Sequence, residues 1–232
     1  MLNLIIAIAL TFILIILKQI FKINFNELKK LEQNEELNKI TNKFPENVEV
    51  CRTILKKIKN ENVKIEENVE SKTSLYIAIT NKIIIANLKN SYARIQTIAH
   101  ECVHSVQNRN ILLFNFIFSN IYLMYFAISI ILTILGVFEN FLLQIIILLI
   151  LSFIYFMVRS YLETEAMVRA EAIAKEYIEE SNACTTKEKE ELINEYNKIN
   201  KVSVISYNYI LFGSCIIKLI IYCLISGIIS YI

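Results

Sequence analysis

The sequence has little glycine, proline and histidine, and it has no tryptophan and no aspartate. Three glycines and one proline occur among 232 residues, while 55% of the residues are hydrophobic and the mean hydropathy is +0.48. This composition excludes an ordinary soluble protein and predicts an integral membrane protein. The lack of aspartate, beside abundant isoleucine, asparagine and lysine, indicates coding bias, and no function follows from it.

Four apolar stretches are long enough to be membrane spans. Residues 1–21 are interpreted as an uncleaved N-terminal anchor, since no basic residue precedes the apolar run and no small-x-small cleavage site follows it before Lys18. Residues 111–158 predict a transmembrane hairpin, with spans to Phe138 and from Phe141 and a turn at Glu139 and Asn140. The fourth span lies in residues 202–232 and contains Lys218.

The position of Lys218 leaves two alternatives for the last span. The span covers roughly 202–217 with Lys218 at the far interface, or it begins near Tyr209 and Lys218 faces a bundle interior. We favour one span whose ends stay open. A long cationic side chain can also extend its charge towards the interface, so Lys218 alone does not indicate a function.

Residues 22–110 are predicted to form a cytoplasmic region of amphipathic helices followed by short strands. Two apolar stripes at helical spacing mark the helices, at Leu28, Leu31, Leu37 and Ile40 and at Val50, Ile54, Leu55 and Ile58. Three β-prone runs follow, at 63–65, 74–79 and 83–87, with Asn81-Lys82 as a two-residue hairpin turn. Asn90 or Ser91 is expected to cap the next helix, which runs to about Arg109.

Both histidines of the chain lie in one stretch, His100-Glu101-Cys102-Val103-His104, which has the pattern H-E-x-x-H and no helix breaker. Positions four apart share a helix face, so both imidazoles can bind one metal ion, and Glu101 lies about 100° round the helix. The pattern predicts a zinc hydrolase with His100 and His104 as ligands and Glu101 as the catalytic base. The alternative is an ordinary helix with Glu101 in solvent.

A catalytic zinc site needs a third protein ligand, which is expected to be a carboxylate because no third histidine exists. The region 159–201 is predicted to form cytoplasmic helices, of which the first, to about Glu180, contains the candidates Glu163, Glu165, Glu171 and Glu176. Helix rise places His104 about 10 Å before the second span and Glu163 about 7 to 8 Å after the third, so Glu163 is favoured. Glu165 lies about 200° from Glu163 and should face elsewhere.

The sequence leaves the roles of several other residues near the motif open. Gln107 lies on the ligand face, where it orients a histidine, contacts substrate or merely solvates the helix end. Cys102 lies about 200° from His100 and is expected to pack on the back of the helix. Arg169, Tyr161 and Tyr207 are weak candidates for stabilising an oxyanion. Thr185 and Glu188 predict a capping box that opens a helix to about Lys201.

The order of these features resembles a known family. The motif with a following Gln107, then a membrane hairpin, then Glu163-Thr164-Glu165-Ala166 with Arg169-Ala170 beyond, is similar to the YugP-like neutral zinc metallopeptidases of bacterial membranes. More distantly, the chain resembles the HtpX and CAAX prenyl protease type of zinc peptidase. The resemblance covers nearly the whole chain.

The resemblance implies zinc ligands at His100, His104 and Glu163 and a catalytic base at Glu101. It also implies that an edge strand beside the active-site helix pairs with an extended substrate. Two positions depart from the pattern: Val103 stands where glycine is usual, and Met167 stands where the more distant relatives carry an aspartate that braces a ligating histidine.

The distribution of charge predicts the orientation in the membrane. Of the 24 lysines and arginines, 23 lie from Lys18 to Lys201, and none of these falls within 110–158. The motif side should therefore be cytoplasmic. Cys51, Cys102 and Cys184 on that side would stay reduced, and no CxxC pair is present.

The predicted fold is a mainly α integral membrane protein with about four transmembrane helices and a small zincin-like α+β cytoplasmic unit with a short β-hairpin. The predicted function is a zinc-dependent (Zn²⁺) metallopeptidase of the cell membrane, which faces the cytoplasm and cleaves proteins or peptides, membrane proteins among them. The lipid bilayer is a partner and nucleic acid is not. The alternatives are a catalytically inactive membrane scaffold with a structural metal site and, less favoured, a metal transporter.

Overall fold

Helices make up most of the structure. The computed structural model describes residues 1–24, 34–68, 70–71, 73–88, 91–138 and 140–230, so Leu28, Leu31, Asn90 and Glu139 lie outside the described residues. The helices are α1 (Leu2–Ile20), α2 (Glu35–Thr41), α3 (Asn47–Lys57), α4 (Arg94–Val106), α5 (Arg109–Ile134), α6 (Phe141–Glu180) and α7 (Thr186–Ile229). The strands are β1 (Lys64–Asn68), β2 (Leu75–Ile77) and β3 (Lys82–Ala86).

Four of the helices are long and apolar enough to cross a membrane. The most apolar windows of α1, α5, α6 and α7 have mean hydropathies of 2.3, 2.0, 2.8 and 2.2. The prediction of four such helices is confirmed, and they are consistent with a multi-pass membrane protein. The helical pattern also continues beyond the apolar parts, since α6 has 40 residues and α7 has 44.

The chain divides into two compact units. We call Met1–Ile23, Phe114–Tyr161 and Ile205–Ile232 the apolar unit, and Asn24–Leu113 with Leu162–Val204 the site unit. Helices α5, α6 and α7 each contribute residues to both units. Each unit is described by itself below.

The connection between α5 and α6 is longer than the predicted two-residue turn. Helix α5 ends at Ile134 and not at Phe138, because Gly136 adopts a positive φ of 71°. The Val137 N–H then donates back to the Leu132 carbonyl oxygen at 3.0 Å, which closes the helix end. The predicted span end is therefore wrong by four residues, and the cause is one of the three glycines.

The site unit contains a three-stranded sheet with the order β1-β3-β2. Strand β3 pairs in parallel with β1 and antiparallel with β2, so β2 is an edge strand. The predicted β2–β3 hairpin is confirmed, but its turn is not Asn81-Lys82, because Lys82 already pairs with Ile77. Asn81 has a positive φ of 48°, and its side-chain oxygen accepts a hydrogen bond from the Tyr76 hydroxyl at 2.9 Å.

The core of the site unit is an apolar cluster that joins the sheet to several helices. The described members of the predicted stripes, Leu37 and Ile40 on α2 and Val50, Ile54 and Leu55 on α3, belong to it, and Val50 and Ile54 are completely buried. Strand β3 contributes Ile83 and Ile85, and α6 contributes alanines that allow close approach. The predicted Thr185–Glu188 capping box is present, with the Thr185 N–H donating to Glu188 Oε2 at 2.9 Å.

Arg94, the first residue of α4, is a buried cation in this core. Its guanidinium donates hydrogen bonds of 2.8 to 2.9 Å to the carbonyl oxygens of Thr41, Phe44 and Pro45 and to Asn47 Oδ1. Burial lowers the pKa of Arg94, and nearby tyrosines partly oppose the shift. The guanidinium thus binds the end of α2 and the following loop to the start of α4.

The interior of the apolar unit holds polar side chains. The Tyr122 and Ser152 hydroxyls lie 2.7 Å apart, and the Thr133 hydroxyl donates to the Tyr222 hydroxyl at 3.1 Å. The Lys218 ammonium lies 5.4 Å from the centre of the Tyr122 ring. The half-buried Lys218 therefore faces Tyr122 within the apolar unit, and the ends of the last membrane span stay a prediction.

Candidate metal centre

Helix α4 carries the H-E-x-x-H sequence on a helix whose other face is fully buried. Ile95, Ile98, Ala99 and Cys102 are all 0% exposed and fasten α4 to the core. The predicted side-chain cap at Ser91 is wrong: α4 begins after Ala93 without a side-chain cap, and Ser91 contributes only its carbonyl oxygen. The helix ends before Gln107, whose backbone is extended.

His100, His104 and Glu163 come together in the site unit. The two histidine Nε2 atoms lie 3.0 Å apart, and Glu163 Oε2 lies 3.3 Å from His100 Nε2 and 3.8 Å from His104 Nε2. Among the described residues this is the one group of histidine, cysteine, aspartate and glutamate side chains placed to hold a metal ion. Its members come from two helices, because Glu163 lies on α6.

The other candidate carboxylates of α6 are engaged elsewhere. Each of the three forms an ion pair: Glu165 with Arg169 at 2.9 Å, Glu171 with Lys175 at 2.6 Å, and Glu176 with Lys57 at 2.8 Å. Glu163, in contrast, is only 7% exposed and faces the two histidines. The structure therefore brings Glu163, and none of the other three candidates, to the histidine pair.

Gln107 orients His104. Its amide nitrogen donates to the Leu162 carbonyl oxygen at 2.8 Å and to Glu165 Oε2 at 3.0 Å, so its oxygen is left to face His104. That oxygen lies 2.7 Å from His104 Nδ1, which must therefore carry the proton. In the neutral form of His104, the lone pair of Nε2 consequently points at His100 and Glu163. This is the first of the three roles that the sequence left open for Gln107.

Glu101 is buried beside the group. It is 6% exposed, and burial raises the pKa of its carboxyl group, while the charges of His100 and His104 oppose the shift. The backbone N–H of Tyr76, on the edge strand β2, donates to this carboxylate. Burial alone would lower the pKa of His104, but the hydrogen bond and the charge of Glu163 outweigh it, so the pKa is raised.

Cys102 is on the back of the helix, as predicted. Its sulfur is completely buried and lies 3.6 Å from the sulfur of Cys51 on α3. The contact with Cys51 and burial raise the pKa of the Cys102 thiol well above its ordinary value. A protonated, buried thiol facing away from the histidines is a core residue and not a ligand.

The three weak candidates for oxyanion stabilisation have other surroundings. Arg169 pairs with Glu165, as described above. Tyr161 and Tyr207 belong to the apolar unit, where Tyr207 accepts a hydrogen bond of 3.1 Å from Arg159 Nε. Sequence reasoning did not identify the backbone amide of Tyr76 as a hydrogen-bond donor to Glu101, because a backbone group leaves no pattern of side chains in the sequence.

No protein-family model matches the chain, and no similar curated protein or solved structure is found. The resemblance to YugP-like peptidases therefore stays a prediction. What the chain can do must be argued from the geometry of its own residues.

Proposed function

We propose that the chain is a membrane-bound zinc metallopeptidase with its active site on the cytoplasmic side of the cell membrane. The observation that carries the proposal is the convergence of His100, His104 and Glu163 beside the buried carboxylate of Glu101. A purely structural metal site has no need of a buried base next to its ligands. The presence of Glu101 thus favours an enzyme over a scaffold.

The spacing of the three donor atoms fits zinc. A tetrahedral zinc ion with bonds of about 2.0 to 2.1 Å holds its ligand atoms about 3.3 Å apart. The three separations in the structure, 3.0, 3.3 and 3.8 Å, lie on both sides of this value. Two imidazoles and one carboxylate also form a ligand set that catalytic zinc sites use, with one position left for water.

The hydrogen bond from His104 to Gln107 supports the same conclusion. A ligating histidine needs an unprotonated nitrogen towards the metal and a partner for the other nitrogen. Gln107 provides that partner, and its own amide is fixed by Leu162 and Glu165. The bracing role that the more distant relatives give to an aspartate at position 167 would thus belong to Gln107 here.

The chemistry needs one proton acceptor in addition to the metal ligands. Zinc, when bound, would acidify a water molecule and polarise the carbonyl of the substrate. Glu101 would accept the proton of the attacking water and later pass it to the leaving nitrogen. The Tyr76 N–H, which donates to this carboxylate, would hold it in position.

The edge strand β2 supports a peptide substrate. Its other side is paired with β3, and the Tyr76 amide shows that the strand borders Glu101. An extended peptide could add to such an edge through backbone hydrogen bonds. Because the chain also has four helices of membrane-spanning length, we propose that its substrates include membrane proteins and membrane-bound peptides.

The first test is the zinc content of the detergent-purified protein, measured by elemental mass spectrometry. We expect about one zinc per wild-type chain and a clear loss in Glu163→Ala. Glu171→Ala is the matched control, because it removes a carboxylate from the same helix that pairs with Lys175. A wild type without zinc would contradict the proposal, and zinc retention in Glu163→Ala would move the third-ligand role elsewhere.

The second test separates the enzyme from the scaffold. Glu101→Gln keeps the shape of the side chain but removes the proton acceptor, so zinc should stay bound while peptide cleavage falls by about 10²- to 10⁴-fold. Cleavage of a peptide mixture by the zinc-loaded wild type provides the baseline. If zinc-loaded wild type cleaves no peptide, the metal site is structural.

A further inference from the structure

Lys218 is a cation inside the apolar unit, and the proposed function does not use it. It lies near the centre of the segment Ile205–Ile232, with its ammonium 5.4 Å from the centre of the Tyr122 ring. Helix rise places Tyr122 about 12 Å along α5 from Phe114 and about 18 Å from Ile134. The hydrocarbon core of a bilayer is about 30 Å thick, so this depth corresponds to the middle of a span.

The charge of Lys218 has no acidic partner among the described residues. The four apolar stretches of the sequence contain no aspartate or glutamate. The ammonium donates to the Ser214 carbonyl oxygen at 3.3 Å, which is longer than the 2.7 to 2.9 Å or so of a strong charge-assisted bond. An ammonium has three donors, so this bond and the aromatic ring leave a donor for an anion.

One side of Lys218 adjoins the exposed surface of the apolar unit. Its side chain is half-buried on α7 and lies between two kinds of neighbour. Cys215 and Tyr222 on one side are buried, while Ile217 and Ile221 on the other are 50% and 39% exposed. A helix that packs against these isoleucines would therefore come within reach of the ammonium.

The depth of Lys218 and the composition of the chain narrow the source of the missing negative charge. A headgroup phosphate lies outside the hydrocarbon core, and a second copy of this chain has no acidic residue in its apolar stretches. We propose that Lys218 binds the carboxylate of an aspartate or glutamate in a membrane-spanning helix of a different protein. Such a pair is favourable because each charge alone is costly at this depth.

This inference goes beyond the proposed peptidase function, since binding at Lys218 requires neither zinc nor cleavage. The test measures association of the full-length protein with synthetic membrane-spanning peptides in phosphatidylcholine vesicles. Two polyleucine peptides differ only in their central residue, which is glutamate or glutamine. Binding is read by energy transfer from a fluorophore fused to the protein to an acceptor on the peptide.

Wild type should bind the glutamate peptide about tenfold more tightly than the glutamine peptide. Lys218→Met should remove this preference, while Lys218→Arg should keep it because the charge is retained. Lys18→Met is the matched control, because it makes the same chemical change at an exposed position of α1, and it should leave the preference unchanged. In the reversed pair, Lys218→Glu should prefer a peptide with a central lysine.

The proposal is overturned if wild type binds the two peptides equally or if Lys218→Met keeps the preference. It is also overturned if anionic phosphatidylglycerol in the vesicles abolishes the preference, since Lys218 would then bind a lipid phosphate. The zinc and cleavage measurements described above do not depend on these results. Failure of this inference and failure of the proposed function are therefore distinguishable.

Discussion

The two units of the chain bury opposite kinds of side chain. The apolar unit exposes large apolar residues such as Phe12 and Phe153, each 62% exposed, and buries hydroxyl groups such as those of Thr133 and Ser226, each 0% exposed. The site unit buries isoleucines completely on α3, α4 and β3 and leaves most of its charged residues at the surface. The surface of the apolar unit is therefore suited to lipid, and the surface of the site unit is suited to water.

The contrast has a physical cause. In lipid, apolar side chains gain little from burial, and polar groups need partners inside the bundle. In water, apolar burial supplies the main stabilisation. The proposed hydrolysis needs water. All four residues of the proposed centre belong to the site unit, whose burial pattern suits water: His100, Glu101, His104 and Glu163. Four pairs of measurements, taken from the largest expected effect to the smallest, test this comparison.

The largest effect should come from Arg94. In Arg94→Met the four acceptors that the guanidinium binds lose their donors inside the core, so the site unit should lose about 3 to 5 kcal/mol of its unfolding free energy. The measurement is labelling of buried cysteines by a thiol reagent at increasing denaturant. Cys51 and Cys102 report the site unit, and Cys215 and Cys223 report the apolar unit.

Arg52→Met is the control for Arg94→Met, because Arg52 is exposed on α3. It should change neither labelling midpoint. If Arg94→Met lowers the midpoints of both units equally, the two units unfold together and the comparison fails at the level of stability. If it lowers neither, the buried guanidinium is not the support that its hydrogen bonds indicate.

The next effect concerns two exposed positions on the same helix. Phe153 and Val168 on α6 are 62% and 54% exposed, but they belong to the apolar unit and the site unit. Phe153→Arg should raise the apparent free energy of membrane insertion by about 3 kcal/mol, because an arginine within a span is unfavourable. Val168→Arg should leave it unchanged. Insertion is measured by glycosylation-site reporters in microsomes, and equal tolerance of both arginines would contradict the membrane assignment.

Much of this organisation is predictable from sequence because it depends on local patterns. Long apolar runs with few breakers specify the four long helices, and the i, i+4 spacing of His100 and His104 places both on one helix face. Helix rise also favours Glu163 over Glu171, rotation allows only one of Glu163 and Glu165 to face the metal, and the structure brings Glu163 to the histidines. Local rules suffice here because the membrane hairpin between the motif on α4 and Glu163 on α6 leads the chain back to the site unit.

The unpredicted features depend on contacts between distant residues. Nothing near Arg94 in sequence shows that its acceptors lie about fifty residues earlier, at the end of α2 and in the loop that follows. The Tyr76 amide reaches Glu101 only because β2 is an edge strand, and the strand order depends on the parallel pairing of β1 with β3. The end of α5 was predictable from Gly136, because a glycine near the end of an apolar run is a signal for the end of a helix.

A third, smaller effect concerns the partner of His104. In Gln107→Leu the Nδ1 proton of His104 loses its acceptor, so zinc affinity should fall by about 10- to 100-fold while the fold is kept. The measurement is competition with a chromophoric zinc chelator. Gln19→Met, remote in sequence and exposed, should leave zinc affinity unchanged. Unchanged affinity in Gln107→Leu would show that the hydrogen bond does not act on metal binding.

The smallest expected effect comes from the most direct comparison of the two units, in which the same change, threonine to valine, is made once in each. Thr41 and Thr133 are 1% and 0% exposed, and each hydroxyl proton is shared between the carbonyl oxygen four residues earlier and one distant oxygen. Thr→Val keeps the shape and removes both bonds. We expect a loss of about 1 kcal/mol for Thr41→Val and about 0.6 kcal/mol for Thr133→Val.

The smaller value for Thr133→Val follows from its reference state, because a polar group in an opened membrane bundle still finds partners on neighbouring segments. A hydroxyl in the site unit exchanges its bonds for water, and its deletion also leaves the Tyr92 carbonyl oxygen with one partner fewer inside the core. Hydrogen exchange followed by mass spectrometry resolves α2 and α5 in each variant, so every sample also reports on the helix that carries no substitution. The opposite result would be a larger loss of free energy in Thr133→Val than in Thr41→Val. It would show that hydroxyl contacts stabilise the apolar unit more than is expected for a membrane bundle.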